Sequence, residues 1–261
     1  MFTRATTLCG FALAALMPTI ITAAEPDHRD RFSSAVFQDT AGNKLPYRLL
    51  APAKLDAATK YPLVVFLHGA GERGNDNQKQ LVHGMIDFAS DEITAKCPSF
   101  VVAPQCPEGK RWVEVDWTLD AHQMPAQPSE PLTGMFELID KLLATKPIDT
   151  KRIYITGLSM GGFGVWDAVQ RRPELFAAAA PICGGGDPLL AKQIHFVPVW
   201  AFHGDDDKTV KVKRSREMIQ ALRDVGEEPK YTEYKGVGHD SWTQTYKDPA
   251  LYEWLFAQRK K

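Results

Sequence analysis

Ser159 stands between Gly157 and Gly161 in the stretch YITGLSMGGFGVWDAV (154–169), where a β-branched run passes into a helical pattern. A serine hydroxyl attacks a carbonyl when it is exposed, held by rigid backbone and close to a base. Small residues two before and two after it let a strand turn sharply into a helix, which would present Ser159 at the tip of the turn. The amide of Met160, at the helix start, would then face the place where an oxyanion forms. A bare G-x-S-x-G run is common. Its setting after a β-branched strand and before an apolar helix makes this one informative. If the chain order is serine, acid, histidine, the base is a late histidine. His239 in YKGVGHDSW follows the last strand-like run and a glycine turn. The acid that would orient it lies among Asp205, Asp206 and Asp207 of AFHGDDDKTV, and the residues alone do not choose between them. Neighbouring side chains point different ways, so one is expected to reach His239 and the other two to cap a helix starting near Val210.

Other polar residues have simpler readings. His68 ends a strand-like run in FLHGAGERGNDN (66–77), whose glycines let backbone amides face a ligand; its side chain is expected to shape that loop and not to act as base. His28, His83, His122 and His195 lack a strand-end setting and are expected at the surface or in packing. His203 with the three aspartates has the composition of a metal site but not a full ligand spacing, so no metal and no other cofactor is expected.

Groups of this kind need elements that end together. The apolar runs YPLVVFLHG (61–69), SFVVAP (99–104), RIYITG (152–157), FAAAAPICG (176–184) and FVPVWAFHG (196–204) are nearly continuous. Such runs suit strands buried on both faces of a parallel sheet. FSSAVFQD and LPYRLLAP read as a pair of strands at the start. LTGMFELIDKLLA (132–144), GGFGVWDAVQRR and KRSREMIQALRDVG carry helical spacing between the strands. Alternation of strand and helix predicts an α/β fold with a mostly parallel central sheet, whose carboxyl ends gather ligands. His68, Gln105, Ser159, the aspartates and His239 all fall at those ends.

The chain has 261 residues, 44% hydrophobic and 24% charged, with a net charge of −1. This fits one globular domain and gives no electrostatic reason to bind nucleic acid. Residues 1–24 differ: Arg4, the apolar run LCGFALAALMPTII, then Thr22-Ala23-Ala24. A basic start, a short apolar core and a small-x-small end predict a signal peptide cleaved near Ala24, export to the periplasm or beyond, and no stable membrane insertion. The catalytic domain would then be residues 25–261. Cys97, Cys106 and Cys183 remain, an odd number. The strand between Cys97 and Cys106 spans on the order of 25 Å, too far for a disulfide.

Taken in order, LHGAGERGNDN, VVAPQCPEGKRW, ITGLSMGGFGVW, AFHGDDDKTV and GVGHDSW make the chain resemble the α/β-hydrolase superfamily. Within it the likeness is to secreted bacterial carboxylesterases and predicted peptidases related to feruloyl esterases, polyhydroxybutyrate depolymerases and phospholipase/carboxylesterases. The resemblance runs from about Tyr47 to Trp254 and implies Ser159 as nucleophile, His239 as base, and Asp207 as acid with Val210 as its apolar mate. It implies the amides of Ala70 and Met160 as the oxyanion hole. The short connection Cys183–Phe196 leaves no room for a large cap, so an open site for a bulky or polymeric ester is expected. The longer loop 105–131 holds Trp112 and Trp117, and loops of that length are often functional. Trp112, Trp242 and Gln105 are candidates for touching substrate, although either loop tryptophan could equally pack the loop down. Glu72 and Arg73, beside the oxyanion loop, could pair with each other or meet substrate. The expected activity is an exported serine carboxylesterase, on feruloyl or acetyl esters of polysaccharides. A serine peptidase on the same triad is the alternative, and a non-catalytic binding protein is the third.

Overall fold

A computed structural model describes Met1 and residues 27–260. The predicted leader, beyond its first residue, lies outside the described residues. Eight strands form one sheet: β1 (Ser33–Gln38), β2 (Lys44–Leu50), β3 (Tyr61–Leu67), β4 (Phe100–Pro104), β5 (Ile148–Leu158), β6 (Ala178–Ile182), β7 (Trp200–Gly204) and β8 (Lys230–Tyr234). The helices are α1 (Met85–Phe88), α2 (Asp91–Lys96), α3 (Glu130–Thr145), α4 (Met160–Arg171), α5 (Lys213–Asp224), α6 (Trp242–Lys247) and α7 (Pro249–Ala257). The strand order is β1-β2-β4-β3-β5-β6-β7-β8. β1 and β2 pair antiparallel, as does β2 with β4, and every later pairing is parallel.

The apolar runs are continuous because both faces of the inner strands are covered. Along β3, Leu63, Val65 and Leu67 enter one core cluster with Leu132, Met135 and Ile139 of α3. Val64 and Phe66 enter the other, with Leu251 and Leu255 of α7. All five β3 side chains are 0% exposed, and each contributes roughly 1.5–3 kcal/mol by leaving water. The order of the strands reverses at β3: the chain goes out to β4 on one side and returns to β5 on the other. The carboxyl ends of β3 and β5 flank that switch point, where open α/β sheets gather ligands.

β5 is longer than the predicted run, since Ile148 pairs with Tyr61 before a register irregularity at Leu63. β6 is shorter, with Phe176 and Ala177 outside it. Between β6 and β7 the chain makes a 3-10 stretch, Pro188–Ile194, and no cap domain stands there among the described residues. Cys97, Cys106 and Cys183 are free thiols. Among the described residues no helix is long and apolar enough to cross a membrane.

Candidate active site

Ser159 caps the start of α4 with φ 54° and ψ −119°, a backbone state that a non-glycine residue adopts only when its surroundings enforce it. The enforcement comes from β3. A Cβ on Gly157 would stand 2.6 Å from the Leu67 carbonyl oxygen, and one on Gly161 would run into that same oxygen. Only glycine at both places lets the turn after β5 lie flat against the end of β3. The Ser159 amide donates to the Ile182 carbonyl of β6 at 3.0 Å, which fixes the turn from the other side. The hydroxyl does not cap its own helix. It points to His239, with Oγ 2.8 Å from Nε2.

His239 is held at its other nitrogen, with Nδ1 2.7 Å from Asp207 Oδ2. The Asp207 side chain is fully buried. Burial alone would raise its pKa, but hydrogen bonds from His203 and His239, then the Val210 amide, hold the carboxyl well below the usual range. Its Oδ1 accepts from the Thr209 and Val210 amides at 2.8 and 2.9 Å. The carboxylate is therefore ionised, and Nδ1 donates to it. That leaves Nε2 as the lone pair facing the serine hydroxyl. Such a line can take a proton from Ser159 and later return it.

The first amide of α4, Met160, has no carbonyl a turn earlier to bond. The Ala70 amide opens a 3-10 turn, Ala70–Glu72, right after Gly69. Gly69 lies against Leu158 at the end of β5. His68 behaves as expected for a residue that shapes the loop. It is 1% exposed; its Nε2 accepts from the Cys106 amide at 2.9 Å, and Nδ1 donates to the Gly69 carbonyl at 2.6 Å. Burial pushes its pKa down to about 4, which keeps it neutral.

The structure corrects several expectations. Trp112 does not face substrate: it is 0% exposed, and its indole N–H is spent on the His68 carbonyl at 3.0 Å. It packs the long loop onto the domain. Gln105 is likewise 0% exposed. It accepts from the Asn77 amide and donates to the Glu72 carbonyl and to Asp76, so it braces the loop after β3 from beneath. Asp205 accepts from the Gly236 amide and Asp206 pairs with Lys208; neither caps α5, whose start at Val212 has no side-chain cap. Arg73 bonds the Ala70 carbonyl and does not pair with Glu72. The Trp242 ring lies edge-on to His239 at 5.2 Å.

Three features were not legible. The His83 ring lies tilted against Trp242 at 5.5 Å and reaches Glu72 at 3.6 Å, and Trp242 in turn meets His239, so the two form a wall beside the histidine. That wall continues into a cavity of about 850 Å³ lined by Ile86, Asp91, Glu92 and Tyr246. Cys183 carries φ 40° at the end of β6, and its sulfur joins Asp207 and His239 as atoms all within 4.8 Å of one another. Burial raises its thiol pKa, so it stays protonated and is a poor metal ligand. His203 lies behind Asp207 at 3.2 Å.

The chain is similar in sequence and fold to known proteins. A solved thermostable esterase matches with TM-score 0.84 and 43% identity, over 89% of this chain and 64% of that one. A bifunctional acetylxylan esterase/xylanase of Neocallimastix patriciarum is 27% identical over 67% of this chain. The carboxylesterase SOBER1 of Arabidopsis thaliana is 24% identical over 67% of this chain and 82% of its own length. The chain spans 22–28% of the length of the first three curated relatives it matches. The phospholipase/carboxylesterase family model matches residues 54–250. With its sheet order, its strained serine and that match, the chain belongs to the phospholipase/carboxylesterase family of the α/β-hydrolase superfamily.

Proposed function

We propose that the protein is a serine carboxylesterase acting through an acyl-enzyme. The observation that carries this reading is the line from Ser159 Oγ to His239 to Asp207, at 2.8 and 2.7 Å, built on a strained serine. Ser159 Oγ attacks the ester carbonyl while His239 Nε2 takes its proton. Asp207 orients the imidazole and stabilises its charged form. The Ala70 and Met160 amides hold the oxygen that becomes negative. His239 then gives the proton to the alcohol oxygen, the alcohol leaves, and a water activated by His239 releases the acid.

To receive that proton the leaving oxygen must come within reach of His239 Nε2. The alcohol half of the substrate therefore lies on the histidine's side, beside Trp242 and His83. A cavity of about 850 Å³ that His83 and Trp242 help to line supports a bulky alcohol. An acetyl or feruloyl ester of a polysaccharide has that character, and the acetylxylan esterase relative supports the same class. Export is part of this reading, supported by residues 1–24 and by a relative described as a secreted protein. Sequencing the N-terminus of the exported protein should begin at Glu25.

The deciding experiment is the initial rate on a short aryl ester and on the matched aryl amide, with Ser159→Ala as blank. Ester cleavage that vanishes in the blank, with little amide cleavage, is expected. Comparable amide cleavage would make the protein a peptidase, and undiminished ester cleavage by Ser159→Ala would remove Ser159 from the mechanism.

A further inference from the structure

Glu72 ends the 3-10 turn that opens with Ala70. Gln105 donates to its backbone carbonyl, but among the described residues no hydrogen bond reaches its carboxylate. Arg73, next in the chain, bonds the Ala70 carbonyl instead. The ionic partner of Glu72 is His83, whose Nε2 stands 3.6 Å from Oε1, beyond hydrogen-bond length. A carboxylate offers about four lone-pair sites, and here the protein fills none of them. The side chain is only 14% exposed, so water covers little of it, yet a ligand can reach it. A polar group left in that state costs free energy and calls for a partner. Its place is fixed from two sides. A Cβ on Gly69 would stand 2.9 Å from Glu72 Oε2, so the glycine before Ala70 leaves the room that the carboxylate occupies. On the other side come His83, Trp242 and His239, each against the next, and His239 reaches Ser159. Glu72 thus stands between the Ala70 loop and the wall beside the histidine.

We propose that Glu72 is a specificity-determining residue: its carboxylate accepts a hydrogen bond from a free hydroxyl on the alcohol half of the ester, so that the site selects esters of polyols over esters of simple alcohols. The inference rests on the esterase reading above, which puts the alcohol on the histidine's side. A hydroxyl on the carbon next to the ester oxygen supplies the donor that the carboxylate lacks. The cavity that His83 and Trp242 help to line has room for the rest of such an alcohol. A site built to bond a hydroxyl rejects the analogue without one, because the protein's own polar group is then left unpaired. The same carboxylate repels an alcohol that carries a negative charge.

The test measures kcat/KM at neutral pH on acetates that share the acyl group: ethylene glycol monoacetate, its methyl ether, propyl acetate and acetylcholine. The glycol and its methyl ether differ in the donor and hardly in leaving ability. The wild type should prefer the glycol ester to the methyl ether and to propyl acetate by about 10- to 100-fold, the usual worth of a hydrogen bond to a charged group. Glu72→Ala should bring that ratio close to one. Glu72→Gln, which keeps an acceptor oxygen and drops the charge, should leave a smaller preference than the wild type's. Each ratio is taken within one variant, so a loss of folded enzyme cancels, and should Glu72→Ala fail to fold, Glu72→Gln decides alone. A wild type that cleaves the methyl ether as fast as the glycol ester overturns the inference and leaves the esterase reading standing, as does a preference that survives undiminished in the variants. Acetylcholine cleaved faster than the glycol ester would put a cation in place of the hydroxyl and overturn it too. A wild type that cleaves neither these acetates nor the aryl ester overturns the esterase reading, and the inference with it.

Discussion

Asp205, Asp206 and Asp207 are chemically identical side chains in one run, yet only one can serve His239. Asp205 and Asp206 are exposed, where carboxylates are solvated and their pairings contribute little. Asp207 is buried, and burial by itself would favour its neutral form; the donors from His203, His239 and the backbone reverse that. Side-chain chemistry alone named the triplet and only the family resemblance singled out Asp207, because the choice depends on how the turn after β7 folds. Asp207→Asn should lower kcat by about 10³- to 10⁴-fold, since an amide leaves the histidine in the wrong tautomer. Asp205→Asn and Asp206→Asn should stay within about twofold, as expected for exposed groups worth under ~1 kcal/mol. Rates on the aryl ester check this, and an Asp206 variant as damaged as the Asp207 one would move the acid. Trp112 shows the opposite limit of residue-level reading. A tryptophan in a long loop gives the same letter whether it stacks on substrate or packs on His68, and only the position of its N–H decides.

At the scale of elements, what was legible follows from burial. β3, β4 and β5 lie between two helical layers, so their residues are apolar without alternation; α3 and α5 carry a periodic face, while α4 is buried all round up to Arg171. α1, α2 and α6 are four to six residues long, too short to show a period, and α7 buries Leu251, Tyr252 and Leu255 within nine. The wall formed by His83 and Trp242 joins the irregular stretch before α1 to the start of the short α6, which is why it could not be read ahead of the structure. The strand-turn-helix at Ser159 was legible because it needs glycine at fixed places. Gly161→Ala should therefore destabilise the fold by at least ~1–3 kcal/mol, the usual cost of overpacking, because its Cβ meets backbone that cannot rotate away. Gly71→Ala is the control: a Cβ there meets nothing within 4 Å, so its urea midpoint should match the wild type. Equal midpoints for both variants would mean that the turn is not held by β3.

For the whole molecule, the buried histidines tie stability to pH, and the sign can be worked out. The folded chain holds His68 neutral, with its pKa pushed down by burial from 6.5 to about 4, because Nε2 must accept from the Cys106 amide. Unfolded, the same ring regains its ordinary value. Between those limits the unfolded chain binds more protons, so stability rises with pH there. The contribution is fully present above 6.5 and is lost as pH falls toward 4. His122, lowered to about 4 by burial and then by Arg214, acts in the same direction, more weakly because it is partly exposed. Asp207 extends the loss to lower pH, since its depressed pKa contributes stability only while it is ionised. From pH 7 to pH 5 the His68 contribution falls by on the order of 2 kcal/mol, at about 1.4 kcal/mol per pH unit below the free value. Urea unfolding at the two pH values measures it. The wild type should lose stability on acidification, and His68→Gln, though weaker at neutral pH, should lose less. A wild-type stability that is flat between pH 7 and pH 5 would mean that His68 is free to protonate in the fold. The loop that carries the Ala70 amide would then not be fixed by the Cys106 bond, and the oxyanion site would have to be organised by substrate.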